Sequence, residues 1–237
     1  MIINSVIVKK GAEPTPTTGY YLVRYIDYDG TILKEQWVDS GENATPPADP
    51  SHSGLTFQGW NRASTNVTED RDIGATYATS DGKTKVKIRL TTVSGKAPTL
   101  YLNKSDSSTL TINWGDGTSN TYTNSGNFNT GAHTYTNYGD YEITMWISSG
   151  SGTYTFGNGS STTTFIGGST QVYRNTLLDI FIGEDVTSIG VSAFQYCFSL
   201  TSITIPSSVT SIGSNAFDNS YYILENIFER TTPPKLN

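Results

Sequence analysis

One motif occurs twice near the end of the chain and constrains the fold more than any other feature. The pattern V-T-S-I-G-x-x-A-F begins at Val186 and again at Val209, which gives a period of 23 residues. Periods of roughly 20–29 residues are typical of leucine-rich solenoids, in which each repeat forms one coil. The period predicts which side chains stack between coils: Ile180 on Ile203, Ile182 on Ile205, Ile189 on Ile212, and Phe194 on Phe217.

The repeats resemble the BspA-type leucine-rich repeat of bacterial surface proteins. Cys197 occupies that family's cysteine position, and its counterpart in the next coil is Ser220. We expect the solenoid to span residues 177–237, with a third coil that begins at Leu224 and Ile227.

Two full coils and a partial one are fewer than the three or so that a solenoid usually needs. We therefore expect the coils to be stabilised by packing against the preceding module, against further residues or against a neighbouring chain. We also predict an interaction surface at the open end of the solenoid, formed by Tyr221, Tyr222, Ile223 and Phe228.

Residues 20–80 begin with alternating apolar positions on both sides of Asp29-Gly30. This alternation predicts a β-hairpin, and Asp-Gly favours a type I′ turn because both residues tolerate positive φ angles. Asp27 and Asp29 would share a strand face, but the ligand run of a calcium-binding loop is absent. We therefore predict a solvated hairpin end here and not a metal site.

The rest of this stretch is marked by turn and aromatic residues. They include Gly41, Pro46, Pro47, F-Q-G-W at 57–60 and A-T-Y at 75–77. In this order and spacing the stretch resembles the Listeria/Bacteroides B-repeat of internalin-like surface proteins. The resemblance implies a β-grasp-like module with Trp60 in its core.

Residues 83–168 have the alternation expected of a β-sandwich. Tyr141, Ile143 and Met145 alternate with polar or amphipathic neighbours, and Gly115 and Gly117 permit a tight turn after a strand. The motifs W-G-D-G at 114–117, H-T-Y at 133–135 and G-D-Y-E-I at 139–143 resemble a PKD-type immunoglobulin-like domain. The sequence thus predicts a mainly β protein of three small modules in series, each with its own core: a β-grasp-like B-repeat, a PKD-type sandwich and a short leucine-rich solenoid.

Residues 1–19 combine a short apolar strand with a Pro/Thr linker at 11–19. The strand reads either as a frayed tail or as an anchor that adds a strand to another protein's sheet. The candidate anchor residues are Ile2, Ile3, Val6, Ile7 and Val8.

Composition excludes several classes of function. Charged residues make up 15% of the chain, and a net charge of -6 opposes binding to nucleic acid. One cysteine and two histidines make a zinc site improbable, and no apolar run reaches the roughly 18 residues of a membrane span. No cofactor and no membrane insertion are expected.

The residues with chemical potential favour structural roles. Asp116 lies between two glycines and should cap a turn, and His133 should support the core. Cys197 should be a small buried hydrophobe. Since no nucleophile elbow or phosphate-binding loop occurs, we predict that the protein is not an enzyme.

The modules together favour a structural and recognition protein outside the cytoplasm. Because residues 1–10 lack a secretion signal, we favour a phage virion decoration or fibre protein. A bacterial cell-surface adhesin is the alternative, followed by an accessory fragment of a glycan-active enzyme. The expected partners are virion or surface proteins bound through the N-terminal segment, a host protein or glycan, and further copies of the chain.

Overall fold

The predicted mainly β fold is confirmed. The computed structural model describes residues 19–157, 164–167, 171–220 and 235–236. Almost all of its regular elements are strands, and the described helical structure is one 3-10 helix, Gln171–Thr176.

The first module is a four-stranded sheet. Its strands are β1 (Tyr20–Ile26), β2 (Ile32–Asp39), β3 (Leu55–Trp60) and β4 (Arg71–Thr79). They lie in the order β2-β1-β4-β3, with β1 and β4 parallel and the outer pairs antiparallel. One face is covered by loop residues that include Ala44 and Val67, and Trp60 packs at this core with its ring 4.9 Å from that of Tyr25.

The hairpin between β1 and β2 exists, but its predicted type I′ turn is wrong. Of Asp29 and Gly30 only Gly30 has a positive φ, of 87°. The Gly30 N–H donates to the Asp27 carbonyl at 3.0 Å, and the Asp27 N–H donates to the Thr31 carbonyl at 2.8 Å. A three-residue connection that ends in a left-handed glycine replaces the two-residue turn.

The middle of the chain is a sandwich of two sheets. Its strands are β5 (Thr84–Leu90), β6 (Thr99–Lys104), β7 (Thr109–Asn113), β8 (Ser119–Tyr122), β9 (Gly126–Ala132), β10 (Gly139–Ser149) and β11 (Tyr154–Phe156). One layer contains β5-β10-β7-β8 and the other β11-β6-β9. The predicted alternation holds in β10, where Ile143 and Met145 are buried and Glu142 is exposed.

The repeats form the predicted coils. Their strands are β12 (Leu177–Phe181), β13 (Val186–Ile189), β14 (Ser202–Thr204), β15 (Ser211–Ile212) and β16 (Lys235–Leu236). Ile180 lies opposite Ile203 and Ile189 opposite Ile212 in parallel pairs. The rings of Phe194 and Phe217 stack with centroids 5.3 Å apart.

The coils extend both layers of the sandwich. Strand β12 pairs antiparallel with β5, and β13 pairs parallel with β11. The result is two six-stranded sheets, β14-β12-β5-β10-β7-β8 and β16-β15-β13-β11-β6-β9. Of the three supports expected for a short solenoid, the structure shows docking on the preceding module.

The prediction of three separate cores is wrong, because the described residues form two. One buried cluster runs without interruption from Val86 in the sandwich to Phe217 in the coils, and the other belongs to the first module. Phe156 joins the two parts of the larger core, since its ring lies 4.8 Å from Phe165 and 5.3 Å from Phe194. Strands of the sandwich pair directly with strands of the coils, so the two parts share one core. The predicted boundaries between the modules stay a prediction.

Candidate functional site

The two surfaces predicted from sequence lie outside the described residues. They are the candidate anchor, Ile2, Ile3, Val6, Ile7 and Val8, and the candidate interaction surface, Tyr221, Tyr222, Ile223 and Phe228. Both stay predictions.

The structure places a different candidate site where the first module, the sandwich and the coils meet. An open cavity of about 220 Å³ takes its lining from all three parts. We call it the near cavity, and its lining residues are Tyr28, Asp29, Lys87, Asp179, Phe181 and Thr201. The Tyr28 and Phe181 rings meet edge to face across the seam, with centroids 5.7 Å apart.

A second open cavity of about 320 Å³ also takes lining residues from β5 and β12. We call it the far cavity. It is lined by Arg89 of β5, Leu178 of β12 and Ser199, with Val93 and Val172 among the other lining residues. Arg89 is two residues from Lys87 on the same strand, so the two side chains stand roughly 7 Å apart on one face. The near and far cavities together form what we call the seam groove.

The seam groove is lined by two acidic side chains, Asp29 and Asp179, and two basic ones, Lys87 and Arg89, so the formal charges of its lining cancel. Arg89 donates two hydrogen bonds to Asp140, at 2.6 and 2.7 Å, and this carboxylate raises the pKa of the Arg89 guanidinium. The Lys87 ammonium lies 5.6 Å from the centre of the Phe181 ring. Thr201 donates to Asp179 Oδ1 at 3.1 Å, which fixes one carboxylate of the near cavity.

Asp29 contributes an ionised carboxylate to the near cavity. Partial burial acts to raise its pKa, but hydrogen bonds from Thr31 outweigh burial and hold the pKa below its ordinary value. Asp29 is therefore an acceptor of hydrogen bonds at neutral pH.

A buried carboxylate holds the Tyr28 end of the near cavity. Asp27 is 5% exposed, so its predicted solvated position is wrong. Its Oδ1 accepts bonds from the Tyr77 hydroxyl at 2.7 Å and the Tyr28 N–H at 2.8 Å, and its Oδ2 lies 2.8 Å from His52 Nε2. Burial, followed by the bond to Asp27, raises the pKa of the Tyr77 hydroxyl. Alternation alone could not reveal this cluster, because His52 and Tyr77 reach Asp27 from distant parts of the chain.

Asp116 and His133 have the predicted structural roles. Asp116 Oδ1 accepts the Thr118 N–H at 3.0 Å across the turn, and its Oδ2 lies 2.8 Å from His133 Nε2. The His133 ring stacks on Trp114 with centroids 4.2 Å apart. Burial acts to raise the pKa of Asp116, but bonds from Thr118 and His133 lower it overall.

The described residues offer few groups for catalysis. Burial raises the pKa of the Cys197 thiol to about 12, so the thiolate is scarce at neutral pH. Within the described ranges, histidine, cysteine and acidic side chains form no group of three or more suited to a metal ion. Among the same residues, no helix has the length and apolarity that a membrane span requires.

Both ends of the chain match known repeat families. Residues 21–84 match the model of the Listeria-Bacteroides repeat domain, and residues 152–232 match that of the BspA type leucine rich repeat region. Both resemblances inferred from sequence are thereby confirmed. A comparison with curated proteins returned no match.

The extent of the matches bears on the two remaining parts. Neither model covers residues 85–151, so the PKD-type resemblance of the sandwich is unconfirmed. The leucine-rich match begins at residue 152, just before β11 and ahead of the predicted start at residue 177. Hydrogen bonding agrees, because the Phe165 N–H donates to the Ala193 carbonyl as the Phe194 N–H donates to the Ala216 carbonyl, both at 2.7 Å.

Both families are typical of bacterial surface proteins, and neither is catalytic. They suggest a non-enzymatic role in surface display or adhesion.

Proposed function

We propose that this chain is a non-catalytic structural and recognition protein that is displayed outside the cytoplasm. The observation that carries the proposal is the pair of surface-protein repeat families, one at each end of the chain. Because both families occur in one chain, we favour display on a surface over a role inside the cell.

The geometry supports recognition through a preorganised site. Both sandwich layers continue into the coils, and one core serves both parts, so these strands form a stiff support. Lys87 and Arg89 of the seam groove are exposed on the outer face of β5, so strands of this support position part of its lining. Such preorganisation reduces the entropy cost of association.

The proposal also concerns the cell or particle that displays the protein, which we call its carrier. The repeat families favour a bacterial cell surface, and a virion decoration or fibre component is the other carrier that we propose. In either setting, many copies of a weak site would multiply a modest affinity through effective concentration. The N-terminal segment would then join the chain to its carrier.

Fractionation tests the proposal. We would quantify the protein by mass spectrometry in gradient-purified particles, washed cell envelopes and cytosol of the source culture. Enrichment at fixed stoichiometry with a capsid or tail protein identifies a virion component, and enrichment in envelopes identifies an adhesin. Recovery in the cytosol alone would overturn surface display.

A further inference from the structure

We propose that the seam groove binds a neutral oligosaccharide, with one sugar ring in the near cavity and the next in the far cavity. This inference rests on the proposed recognition function and names the ligand class of its site.

The shape of the groove fits a short chain of rings. The near and far cavities, of about 220 and 320 Å³, share no lining residue, but each is lined by residues of both β5 and β12. Lys87 and Arg89 are both exposed and two residues apart on β5, and from this spacing we infer that the cavities adjoin. Each is near or below the lower end of the roughly 300–1,000 Å³ that is usual for pockets holding drug-sized ligands. Two small adjoining cavities suit a ligand built of repeated small units better than one large compact ligand.

The lining combines apolar surface with a polar rim. Tyr28 and Phe181 give the near cavity two half-buried rings, while Val93 and Val172 give the far cavity exposed aliphatic surface. Around them stand an ionised carboxylate at Asp29 and an ammonium group at Lys87. A sugar ring has apolar C–H faces and a rim of hydroxyl groups that both donate and accept, so it complements both features.

The hydrogen-bonding capacity at the rim is available to a ligand. The Lys87 ammonium lies 5.6 Å from the centre of the Phe181 ring, has no hydrogen-bond or ion-pair partner among the described side chains, and can donate three bonds. The Asp29 carboxylate accepts hydrogen bonds from Thr31. An ionised carboxylate has about four acceptor positions, so these bonds leave some of them for a ligand. One donor group and one acceptor group thus face the same cavity.

Strand pairing argues against an extended peptide in the groove. A peptide that adds to a sheet needs an unpaired strand edge. Here β5 is paired with both β12 and β10, and β12 is paired with both β5 and β14. Side chains are therefore the recognition groups, which suits hydroxyl groups better than a peptide backbone.

The charge balance favours a neutral ligand. Asp29 and Asp179 oppose Lys87 and Arg89, and Arg89 is already paired with Asp140. An anionic chain would gain little from Lys87 and would approach two carboxylates. A polycation would meet the same balance with the opposite sign.

The test begins with the full chain on a printed array of neutral, amino and acidic oligosaccharides. Affinities for the retained neutral sugar would then be measured by calorimetry for its mono-, di- and trisaccharide. We expect retention of neutral saccharides and tighter binding of the disaccharide than of the monosaccharide, because the second ring reaches the far cavity.

Three variants locate the site. Lys87→Ala removes the rim donor and should weaken binding of every chain length by about tenfold, as expected for a lost hydrogen bond to a charged group. Val93→Ala, at a side chain that is 83% exposed, should weaken the disaccharide by a few fold and leave the monosaccharide unchanged. Trp37→Ala is the matched control, because Trp37 is an exposed aromatic on β2 that lines neither cavity.

Several results would overturn the inference. They are an array that retains no saccharide, a preference for acidic saccharides, and neutral binding that Trp37→Ala abolishes while Lys87→Ala leaves it intact. Equal melting temperatures of the three variants would exclude unfolding as the cause of a loss. None of these results bears on the fractionation experiment, so the ligand class and surface display fail separately.

Discussion

At the residue scale, the near cavity depends on a carboxylate that the solvent hardly reaches. Asp27 accepts hydrogen bonds from the Tyr28 N–H, just after β1, and from the Tyr77 hydroxyl of β4. The Tyr28 ring packs edge to face on His52 at 5.0 Å and on Tyr77 at 5.5 Å. A buried acceptor with several donors fixes the position of its neighbours, because each donor would lose a partner if it moved. Asp27 is thus a positioning residue for the Tyr28 end of the groove.

Asp27→Ala should destabilise the first module. It leaves the Tyr77 hydroxyl and the Tyr28 N–H without their acceptor, at about 1–3 kcal/mol for each donor that stays buried. Urea unfolding followed by tryptophan fluorescence measures the change. Asp29→Ala is the control. Because Asp29 is exposed, this substitution should lower the free energy of unfolding by less than about 1 kcal/mol. Equal costs of the two substitutions would contradict a special role for Asp27.

At the element scale, the repeated glycine shows how β11 takes the place of a preceding coil. A Cβ atom on Gly213 would lie 2.5 Å from the Val191 backbone nitrogen of the coil before it, and a Cβ atom on Gly190 would lie 2.5 Å from the Phe156 carbonyl oxygen. The Gly190 N–H also donates to that oxygen at 2.9 Å. The same close approach therefore joins coil to coil and the first coil to β11.

Gly190→Ala should be costly for this reason. The added methyl group collides with backbone that cannot rotate away, and such overpacking typically costs about 1–3 kcal/mol. Thermal unfolding of the variant measures the loss. Ser214→Ala, at an exposed position in the next coil, should leave the melting temperature almost unchanged. A Gly190→Ala protein as stable as the parent would contradict the close approach.

The repeat in the sequence predicted how the coils stack on each other, but it did not predict what packs on the first coil. The 23-residue period located the Ile189 and Ile212 pair and the Phe194 and Phe217 stack, because identical positions of a repeat must meet their counterparts. Residues 152–166 lack the V-T-S-I-G pattern, although Phe165 occupies the position that Phe194 has in the next coil. Packing and hydrogen bonding show that the two positions are equivalent, whereas the residue types around Phe165 do not match the motif.

At the scale of the whole molecule, the sandwich and the coils share their sheets and one core. Pairing of β12 with β5 joins strands that are distant in sequence, and no local pattern in either strand names its partner. For the same reason the seam groove was not predicted, since Tyr28, Lys87 and Phe181 come from three separately recognised parts of the chain. Sequence motifs identify modules, while surfaces between modules depend on long-range pairing.

The central claim is that the sandwich and the coils unfold as one body. Hydrogen exchange by mass spectrometry on Phe194→Ala tests it most directly, because this substitution in the coils removes ring contacts to Phe156 and Phe165 and costs about 3–5 kcal/mol. Ile189→Val, at about 0.5–1.5 kcal/mol, is the milder second variant if Phe194→Ala does not fold.

We predict faster exchange in β6 and β11 of the sandwich as well as in the coils. Exchange around Val23 and Ile73 should stay unchanged, because these residues belong to the separate core of the first module. Faster exchange confined to residues 177–220, with the sandwich strands as protected as in the parent, would contradict the shared core.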